Sequence, residues 1–231
     1  EQNKPLNARL KALYDRDQEA HIALQSSTGN YMESEVEVKR VDDSISAELN
    51  KIFDQYGFLS EFNMGVFLGE DNWPRAEPDF YVIIRHNFQG ITSYDTLFAP
   101  LCRKAIAQGT LHPMTYAAFR DGNPVNGNLL YGTSHVFTRY KCSLYTDLKT
   151  KNEDPAAFHH IADVDSLRHT LYLSTLEDAQ QKILYRMKEQ TQPYTFRDNY
   201  SIIGSFANQE SEQRFLERSK VVVSQIPGCT F

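Results

Sequence analysis

The segment HPMTYAAFRDGNPVNGNLLYGTSHVF, residues 112–137, combines a helical pattern, turn-forming residues and several polar side chains. Residues 121–124 (DGNP) and 126–128 (NGN) predict turns, because Gly and Asn tolerate positive φ and Pro presets φ. We expect the chain to reverse there, so that residues 129–137 return beside the preceding helix. The returning residues place hydroxyl groups and an imidazole around Gly132, where a backbone can approach another group closely. This stretch is therefore the first candidate for a site.

Composition and charge place the chain among ordinary globular proteins. Its 231 residues are 41% hydrophobic and 23% charged, which is enough apolar sequence for a sizeable core. The formal net charge is -6 and the pI is about 5.7, whereas nucleic-acid binding needs a basic surface. No apolar run approaches the roughly 18 to 20 residues that cross a bilayer. The sequence therefore predicts neither a nucleic-acid partner nor a membrane span.

The cysteines and the first residues bear on the compartment. Cys102 falls in an apolar helical pattern and is predicted to be a packed thiol. Cys142 and Cys229 lie in polar or turn-rich surroundings and are the two that could form a disulfide. The sequence starts at Glu1 rather than at a methionine, which is typical of a processed or tag-trimmed chain. These features favour a periplasmic or secreted protein.

The first half of the chain reads as helical with one strand-like interruption. A first helix is predicted over residues 5–24, with its charged residues 15–19 on a solvated face. Its predicted apolar stripe consists of Leu6, Leu10, Leu13, Ile22 and Leu24. Residues 33–41 alternate between apolar and charged side chains and predict a short strand or an exposed arm. A second helix is predicted over 44–56, capped by Asp42 or Asp43 and ended by Gly57.

The middle of the chain contains one apolar block of ambiguous secondary structure, a predicted helix and a polar stretch. Residues 78–87 form a short apolar block whose periodicity fits either a strand or a helix. A helix is predicted over 93–108, with Pro100 kinking or restarting it and Gly109 closing it. Residues 139–155 are predicted to be a polar connector.

The C-terminal half combines helices with two apolar strand patterns. Helices are predicted to start near Asp163 and Thr175, and strands over 200–206 and 220–223 flank a short helix over 208–218. The overall prediction is a mainly α (α+β) protein with a small β element, partly from the C-terminal segment. Its expected organisation is a helical domain, 1–190, with a strand-helix-strand extension, 191–231, packed on it.

Short motifs recur in a definite order along residues 6–190. They are Asp17-Gln18, YGFLS at 56–60, His86, Ala117 with LYGTS at 130–134, and DVDSLR at 163–168 with YLS at 172–174. In this order they resemble the pattern of a bacterial family of uncharacterised, mainly helical domains, known as a domain of unknown function with a His … Tyr-Gly-Thr pattern. The resemblance implies a helical fold, and the family brings no assigned activity or cofactor.

The chain departs from that family pattern at polar positions. The family has an acidic residue two positions after the histidine, where this chain has Phe88, and glutamines around Tyr-Gly-Thr, where it has Leu129 and Ser134. An Asp-Arg pair of the family appears here only as the reversed Arg120-Asp121. If the family uses a polar catalytic constellation, this member has altered it, which favours binding over catalysis.

Common catalytic and metal motifs are missing from the sequence. It contains no G-x-S-x-G elbow, no phosphate-binding P-loop, no dinucleotide fingerprint and no H-E-x-x-H. His159, His160 and His169, with Asp163 and Asp165, are metal ligands by type but lack the usual ligand spacing. The sequence therefore predicts no metal site and names no cofactor.

The candidate site residues combine two histidines with polar neighbours. Imidazole titrates near neutrality and suits acid/base work, which favours His86 and His135 over the other histidines. The predicted catalytic residues are His86, Arg120, Tyr131 and His135, and the predicted binding residues are Gln18, Gly132, Thr133 and Ser134. We expect the side chains of His86, Arg120 and Tyr131 to converge on one pocket beneath the predicted turn.

Two functions follow from these residues. The preferred one is a non-catalytic exported domain that binds a small ligand or a peptide in a polar and aromatic pocket. The alternative is a hydrolase-type enzyme that uses acid/base chemistry at His86 and the segment 131–135. The oligomeric state does not follow from the sequence.

Overall fold

Amphipathic helices make up most of the described chain, and its strands form one small sheet. The computed structural model describes residues 4–26, 31–60, 64, 78–89, 95–121, 131, 133–138, 143–147, 161–188, 201–205, 209–218 and 221–225. It divides into two compact units, Glu1–His112 and Pro113–Phe231, which we describe in turn. The predicted fold class, mainly helical with a small β element, is confirmed.

The first unit is built from helices that contact one another. Its described helices are α1 (Lys4–Ser26), α2 (Tyr31–Tyr56), α3 (Phe80–Gln89) and α4 (Asp95–Ala107). Within the predicted apolar stripe of α1, Leu6, Leu10 and Leu13 are buried, whereas Ile22 is exposed. Each of α1, α2 and α3 contacts the other two. The bundle of these three helices positions the site described below.

Aromatic side chains fill the core of the first unit. The ring of Phe53 lies 5.3 Å from Phe58, 6.1 Å from Phe80 and 6.4 Å from Phe98, measured between centroids. These distances are those of stacked and edge-to-face pairs, which add to the stabilisation from burial alone. The four rings connect α2, the segment after it, α3 and α4.

Glycines end two helices, as the sequence predicts. Gly57 has a φ of 74° and follows α2, and its N–H donates to the carbonyl oxygen of Phe53 over 2.8 Å. Gly109 has a φ of 70° and follows α4. Only glycine adopts this conformation without strain, which is why both helices stop there. Within α4 the helix continues through Pro100, so it does not restart at that residue.

The strand or exposed arm predicted over 33–41 is wrong, because these residues belong to α2. Charged pairs one turn apart support the helix: Lys39 Nζ lies 2.8 Å from Asp43 Oδ2, and Arg40 pairs with Glu37. The alternation that suggested a strand also fits a helix with a single buried residue per turn. The predicted cap at Asp42 or Asp43 is wrong for the same reason, since both lie inside α2.

The ambiguous block at 78–87 is resolved as helix α3. The carbonyl oxygen of Pro78 accepts a hydrogen bond from Tyr81 N over 3.0 Å and so closes the first turn. Buried residues Phe80, Ile83 and Ile84 recur at helical spacing. The block is apolar because one face packs into the core of the first unit.

The second unit combines helices with a four-stranded sheet. Its described elements are α5 (Pro113–Asp121), β1 (Ser134–Thr138), β2 (Ser143–Asp147), α6 (Ile161–His169), α7 (Leu176–Lys188), β3 (Ser201–Ser205), α8 (Gln209–Arg218) and β4 (Val221–Gln225). The strand order is β3-β1-β2-β4. β1 runs parallel to β3 and antiparallel to β2, and β2 runs antiparallel to β4. Helix α7 packs on β2 and β4.

The polar connector predicted over 139–155 is wrong in its middle, which forms β2. Leu144, Tyr145 and Thr146 are buried there, and Thr146 pairs with His135 of β1. A five-residue strand with polar ends carries too weak a period to be recognised alone. Its pairing with β1 on one side and β4 on the other stabilises it.

The predicted boundary between 190 and 191 differs from the observed division at 112 and 113. The C-terminal strands β3 and β4 pair with β1 and β2, so the extension predicted over 191–231 shares a sheet with residues 134–147. Among the described helices, none is long and apolar enough to cross a membrane.

Candidate functional site

The site in the first unit begins with a carboxylate in a core position of α1. Asp17 follows Leu13 by four residues, continues the buried stripe of the helix and is 0% exposed. The interpretation of residues 15–19 as a solvated face is therefore wrong at Asp17, because the helical period turns this residue inward. A buried carboxylate is stable only when hydrogen bonds or opposite charges replace its lost hydration.

Helix α3 supplies the main partner of Asp17. Nδ1 of His86 lies 2.9 Å from Oδ2 of Asp17 and 3.1 Å from its Oδ1. The neighbouring Asn87 is buried and ties α3 to α2, because the hydroxyl of Ser46 donates to its Oδ1 over 2.5 Å. On α1 itself, Gln18 Nε2 donates to Asp17 Oδ2 over 2.8 Å. His86 is thus held against Asp17 by a well-anchored helix.

A second imidazole lies beside the first. His21 is one helical turn after Asp17, and its ring centroid is 3.9 Å from that of His86. Its Nε2 lies 3.3 Å from Oδ1 of Asp42 and 4.0 Å from Oδ1 of Asp17. We call Asp17, His21, Asp42 and His86 the Asp/His cluster; it joins α1, α2 and α3.

The carboxylates change the proton affinity of His21. Burial by itself would lower the pKa of this imidazole, but the hydrogen bond with Asp42 and the negative charges of Asp42 and Asp17 outweigh it. The pKa of His21 is therefore raised above its ordinary value of 6.5. The direction shows that the carboxylates favour a positive charge at this place.

The Asp/His cluster has the atoms of a cation site. One ligand atom each from Asp17, His21 and His86 lies within 4.8 Å of the others. The side chains of His21 and His86 are 24% and 22% exposed, so small molecules and ions can reach the rings from solvent. Carboxylate oxygen and imidazole nitrogen bind metal ions, and they also accept hydrogen bonds from cationic groups.

The second unit contains a different buried carboxylate, at the end of α5. Asp121 accepts hydrogen bonds from Tyr131 N over 2.9 Å, Thr133 N over 2.8 Å and Thr133 Oγ1 over 3.0 Å. These contacts bring the returning chain back to α5, as the sequence predicts. Burial raises the pKa of Asp121 to about 6, although the hydrogen bonds and the charge of Arg168 act in the opposite direction.

Arg168 holds the same returning segment from the other side. This guanidinium is 1% exposed, and it donates to the carbonyl oxygens of Tyr131 over 2.7 Å and of Ser174 over 2.6 Å. Residue 131 is thus fixed through its N–H by Asp121 and through its carbonyl by Arg168. We call Asp121, Tyr131, Thr133 and Arg168 the Asp121 group; its contacts connect α5, the entry to β1, and α6.

The structure distributes the predicted site residues over both units. His86 and Gln18 meet at Asp17 in the first unit. In the second unit Arg120 is partly buried on α5, while Tyr131 and Thr133 are buried in the Asp121 group. Ser134 and His135 belong to β1, and Gly132 lies outside the described residues. The predicted convergence of His86, Arg120 and Tyr131 stays a prediction, because these residues belong to separate units.

Asp17, His21 and Asp42 are not among the site residues that the sequence predicts. Asp17 and His21 stand four residues apart on a predicted helix, which places them on one face, and this spacing was the available signal. No comparable spacing marks Asp42, because its position just before the predicted helix 44–56 is typical of a helix cap. Of the histidines and acids weighed for a metal, Asp165 accepts a hydrogen bond from Leu176 N, and His159 and His160 lie outside the described residues.

Comparison of the chain with protein-family models, with curated proteins and with solved structures gives no match.

Proposed function

We propose that the first unit binds a small cationic ligand at the Asp/His cluster. The observation that carries the proposal is a fully buried carboxylate, Asp17, beside two partly exposed imidazoles. The ligand would reach the imidazole edges from solvent and interact with the charge behind them.

The charge balance of the cluster supports a cation. Within the described residues, no Lys or Arg lies within salt-bridge distance of Asp17 or Asp42, and the ion pairs of both carboxylates are with histidines. A buried carboxylate is normally compensated by a fixed cation or by several hydrogen-bond donors. A positively charged ligand would replace the contacts that the two imidazoles make with these carboxylates.

The geometry supports a small ligand rather than a peptide. The carboxylate of Asp42 is 11% exposed and the two rings are about a quarter exposed, so only a small part of the surface of the cluster is accessible to a ligand. A peptide would need an extended groove or a sheet edge. The proposal therefore keeps the small ligand expected from the sequence and moves it to the Asp/His cluster.

The hydrolase alternative used His86 together with the segment 131–135. His86 lies in the first unit and that segment in the second. In the second unit the hydroxyl of Thr133 donates to Asp121, and the main chain of Tyr131 is held by Asp121 and Arg168. These contacts support a structural role for Tyr131 and Thr133. The Asp/His cluster of the first unit is therefore the better candidate for a ligand site.

The test is a thermal-shift screen of the intact chain against small cations. The panel contains divalent metal ions and organic cations such as methylammonium, guanidinium and putrescine. We expect at least one cation to raise the melting temperature of the wild type and not of Asp17→Asn. A ligand at one hundred times its Kd stabilises by about 2.7 kcal/mol, which such a screen detects.

Matched variants keep the screen interpretable. Asp15→Asn removes an exposed carboxylate from the same helix, and its response should equal that of the wild type. His21→Gln changes a partly exposed residue and serves if Asp17→Asn does not fold. The proposal fails if no cation stabilises the wild type, or if Asp17→Asn and His21→Gln respond as the wild type does.

We also propose that this binding takes place in the periplasm or outside the cell. The support is the pair Cys142 and Cys229, which lie outside the described residues, whereas Cys102 is a free, buried thiol. After expression in an oxidising compartment, we expect one reactive thiol per unfolded chain, that of Cys102. Three reactive thiols would contradict the disulfide and remove this support.

A further inference from the structure

We infer that the ligand of the Asp/His cluster is a divalent transition-metal ion such as Zn²⁺. The ion would be bound by a carboxylate oxygen of Asp17, Nε2 of His21 and Nδ1 of His86. The inference rests on the proposed function, because it names the cation that the cluster binds.

The distances within the cluster are close to those of a metal site. In a tetrahedral zinc site with bonds of about 2.0–2.2 Å, neighbouring ligand atoms are roughly 3.3–3.5 Å apart. Here Oδ1 of Asp17 lies 3.1 Å from Nδ1 of His86 and 4.0 Å from Nε2 of His21. All three ligand atoms lie within 4.8 Å of one another. Side-chain rotations that bring His21 closer to Asp17 and His86 would place the three atoms at coordination distance from one ion.

The backbone already places the ligands. Asp17 and His21 are one turn apart on α1, a spacing that puts two ligands on one helix face. The third ligand is on α3, and the hydrogen bond between Ser46 and Asn87 anchors that helix beside α2. Binding therefore needs no change in the packing of the helices.

Gln18 and Asp42 both contact proposed ligands of the ion, Asp17 and His21 respectively. Gln18 Nε2 donates to Oδ2 of Asp17, which orients the carboxylate and leaves Oδ1 for an ion. Such hydrogen bonds to ligating carboxylates are usual at metal sites. Asp42 Oδ1 is 3.3 Å from Nε2 of His21, so an ion bound at this nitrogen would replace their hydrogen bond and would lie beside the Asp42 carboxylate. Together the carboxylates of Asp17 and Asp42 match the charge of a divalent ion.

The ligand types select among divalent ions. Two imidazole nitrogens and one carboxylate suit Zn²⁺, Co²⁺ or Ni²⁺, whereas Ca²⁺ and Mg²⁺ prefer oxygen ligands. Three protein ligands leave at least one coordination position open, as in catalytic rather than structural zinc sites. We therefore expect tight binding of Co²⁺ and Zn²⁺, and no binding of Mg²⁺ in the same concentration range.

The experiment is a titration of the intact, untagged and chelator-treated chain with Co²⁺. Visible d–d absorption reports coordination by the protein, and calorimetry with Zn²⁺ gives the stoichiometry. We expect one ion per chain, and at least a tenfold weaker affinity in His21→Gln and in His86→Gln. His169→Gln changes an exposed histidine of α6, and its affinity should equal that of the wild type. Circular dichroism of each variant checks that its helices are intact.

The outcomes separate this inference from the proposed function. Failure of the wild type to bind Co²⁺ or Zn²⁺ at millimolar concentration overturns the inference, as does unchanged affinity in both histidine variants. If an organic cation stabilises the wild type but not Asp17→Asn, while Co²⁺ does not bind, the proposed function stands and the metal inference is wrong. If neither class of cation binds, both are wrong.

Discussion

Asp17 and Asp121 are buried carboxylates, one in each unit, and they are compensated in different ways. Asp121 accepts two main-chain hydrogen bonds and one hydroxyl hydrogen bond from residues 131 and 133. Asp17 is compensated by side chains, namely Gln18 and His86. A main-chain donor cannot turn away without moving the backbone, whereas an imidazole can rotate toward another partner. Asp121 is therefore suited to hold the fold, and Asp17 to exchange its partners for a ligand.

The two buried carboxylates also differ in the cationic side chains that lie near them. Arg168 is buried near Asp121 and lowers its pKa, in part offsetting the effect of burial. Among the described residues, Asp17 has only histidines as ionic partners. A guanidinium carries a permanent charge, whereas an imidazole is charged only when it is protonated. This difference in charge supports a cationic ligand at Asp17 rather than at Asp121.

The largest expected effect is that of Asp121→Ala. It removes the acceptor of three hydrogen bonds and leaves buried N–H groups at residues 131 and 133 without that partner. Because each such group costs about 1–3 kcal/mol, we expect a loss of about 3–5 kcal/mol in the unfolding free energy of the second unit. Hydrogen exchange, followed by mass spectrometry of peptides from β1, measures the loss. Protection equal to that of the wild type would break the comparison.

An intermediate effect is expected from pH. The pKa of Asp121 is about 6 in the folded chain, against an ordinary value of 3.8. The folded chain binds this proton more tightly than the unfolded chain, so protonation stabilises the second unit. The stabilisation is complete below about pH 4 and is lost as the pH rises through about 6, with an upper limit of roughly 3 kcal/mol.

Urea unfolding at pH values from 4 to 7, followed by circular dichroism, measures this pH dependence. Other carboxylates titrate in the same range, so the quantity of interest is the difference between the wild type and Asp121→Asn. The wild type should lose more stability over this range than the variant does. Parallel pH profiles would mean that Asp121 does not keep its proton in the folded chain.

The smallest effect on stability is expected for Asp17→Asn. The asparagine carbonyl oxygen can still accept a hydrogen bond from Gln18 or His86, so we expect a loss of about 1–2 kcal/mol. The same variant should lose the stabilisation by cations entirely. Urea unfolding with and without Co²⁺ measures both quantities. A stability loss as large as that of Asp121→Ala would assign Asp17 to the fold rather than to a ligand.

Helices with strong local signals were predictable from the sequence. The stripe of Leu6, Leu10 and Leu13 predicted α1, and Gly57 marked the end of α2 with the conformation that glycine favours. The apolar runs at 200–206 and 220–223 predicted β3 and β4. In each case the pattern that predicts the element lies within a few consecutive residues.

Two elements were missed where the local pattern was ambiguous or weak. The first half of α2 alternates like a strand, and its helical form depends on the packing of α2 against α1 and on the continuous helix that follows. β2 is short and polar at its ends, and its strand form depends on pairing with β1 and β4. In both cases contacts outside the local pattern decide the structure.

The sequence by itself determined the helical class, most helix ends and the spacing that puts Asp17 and His21 on one face, because these depend on residues a few positions apart. Only the tertiary structure decided that His86, distant by 69 residues, contacts Asp17. It also decided that β3 lies parallel to β1 and that Asp42 faces His21 instead of capping a helix. The reason is physical: such contacts form when helices and strands bury their apolar faces against one another. Local periodicity shows which face of an element is apolar, but not which other element packs against it.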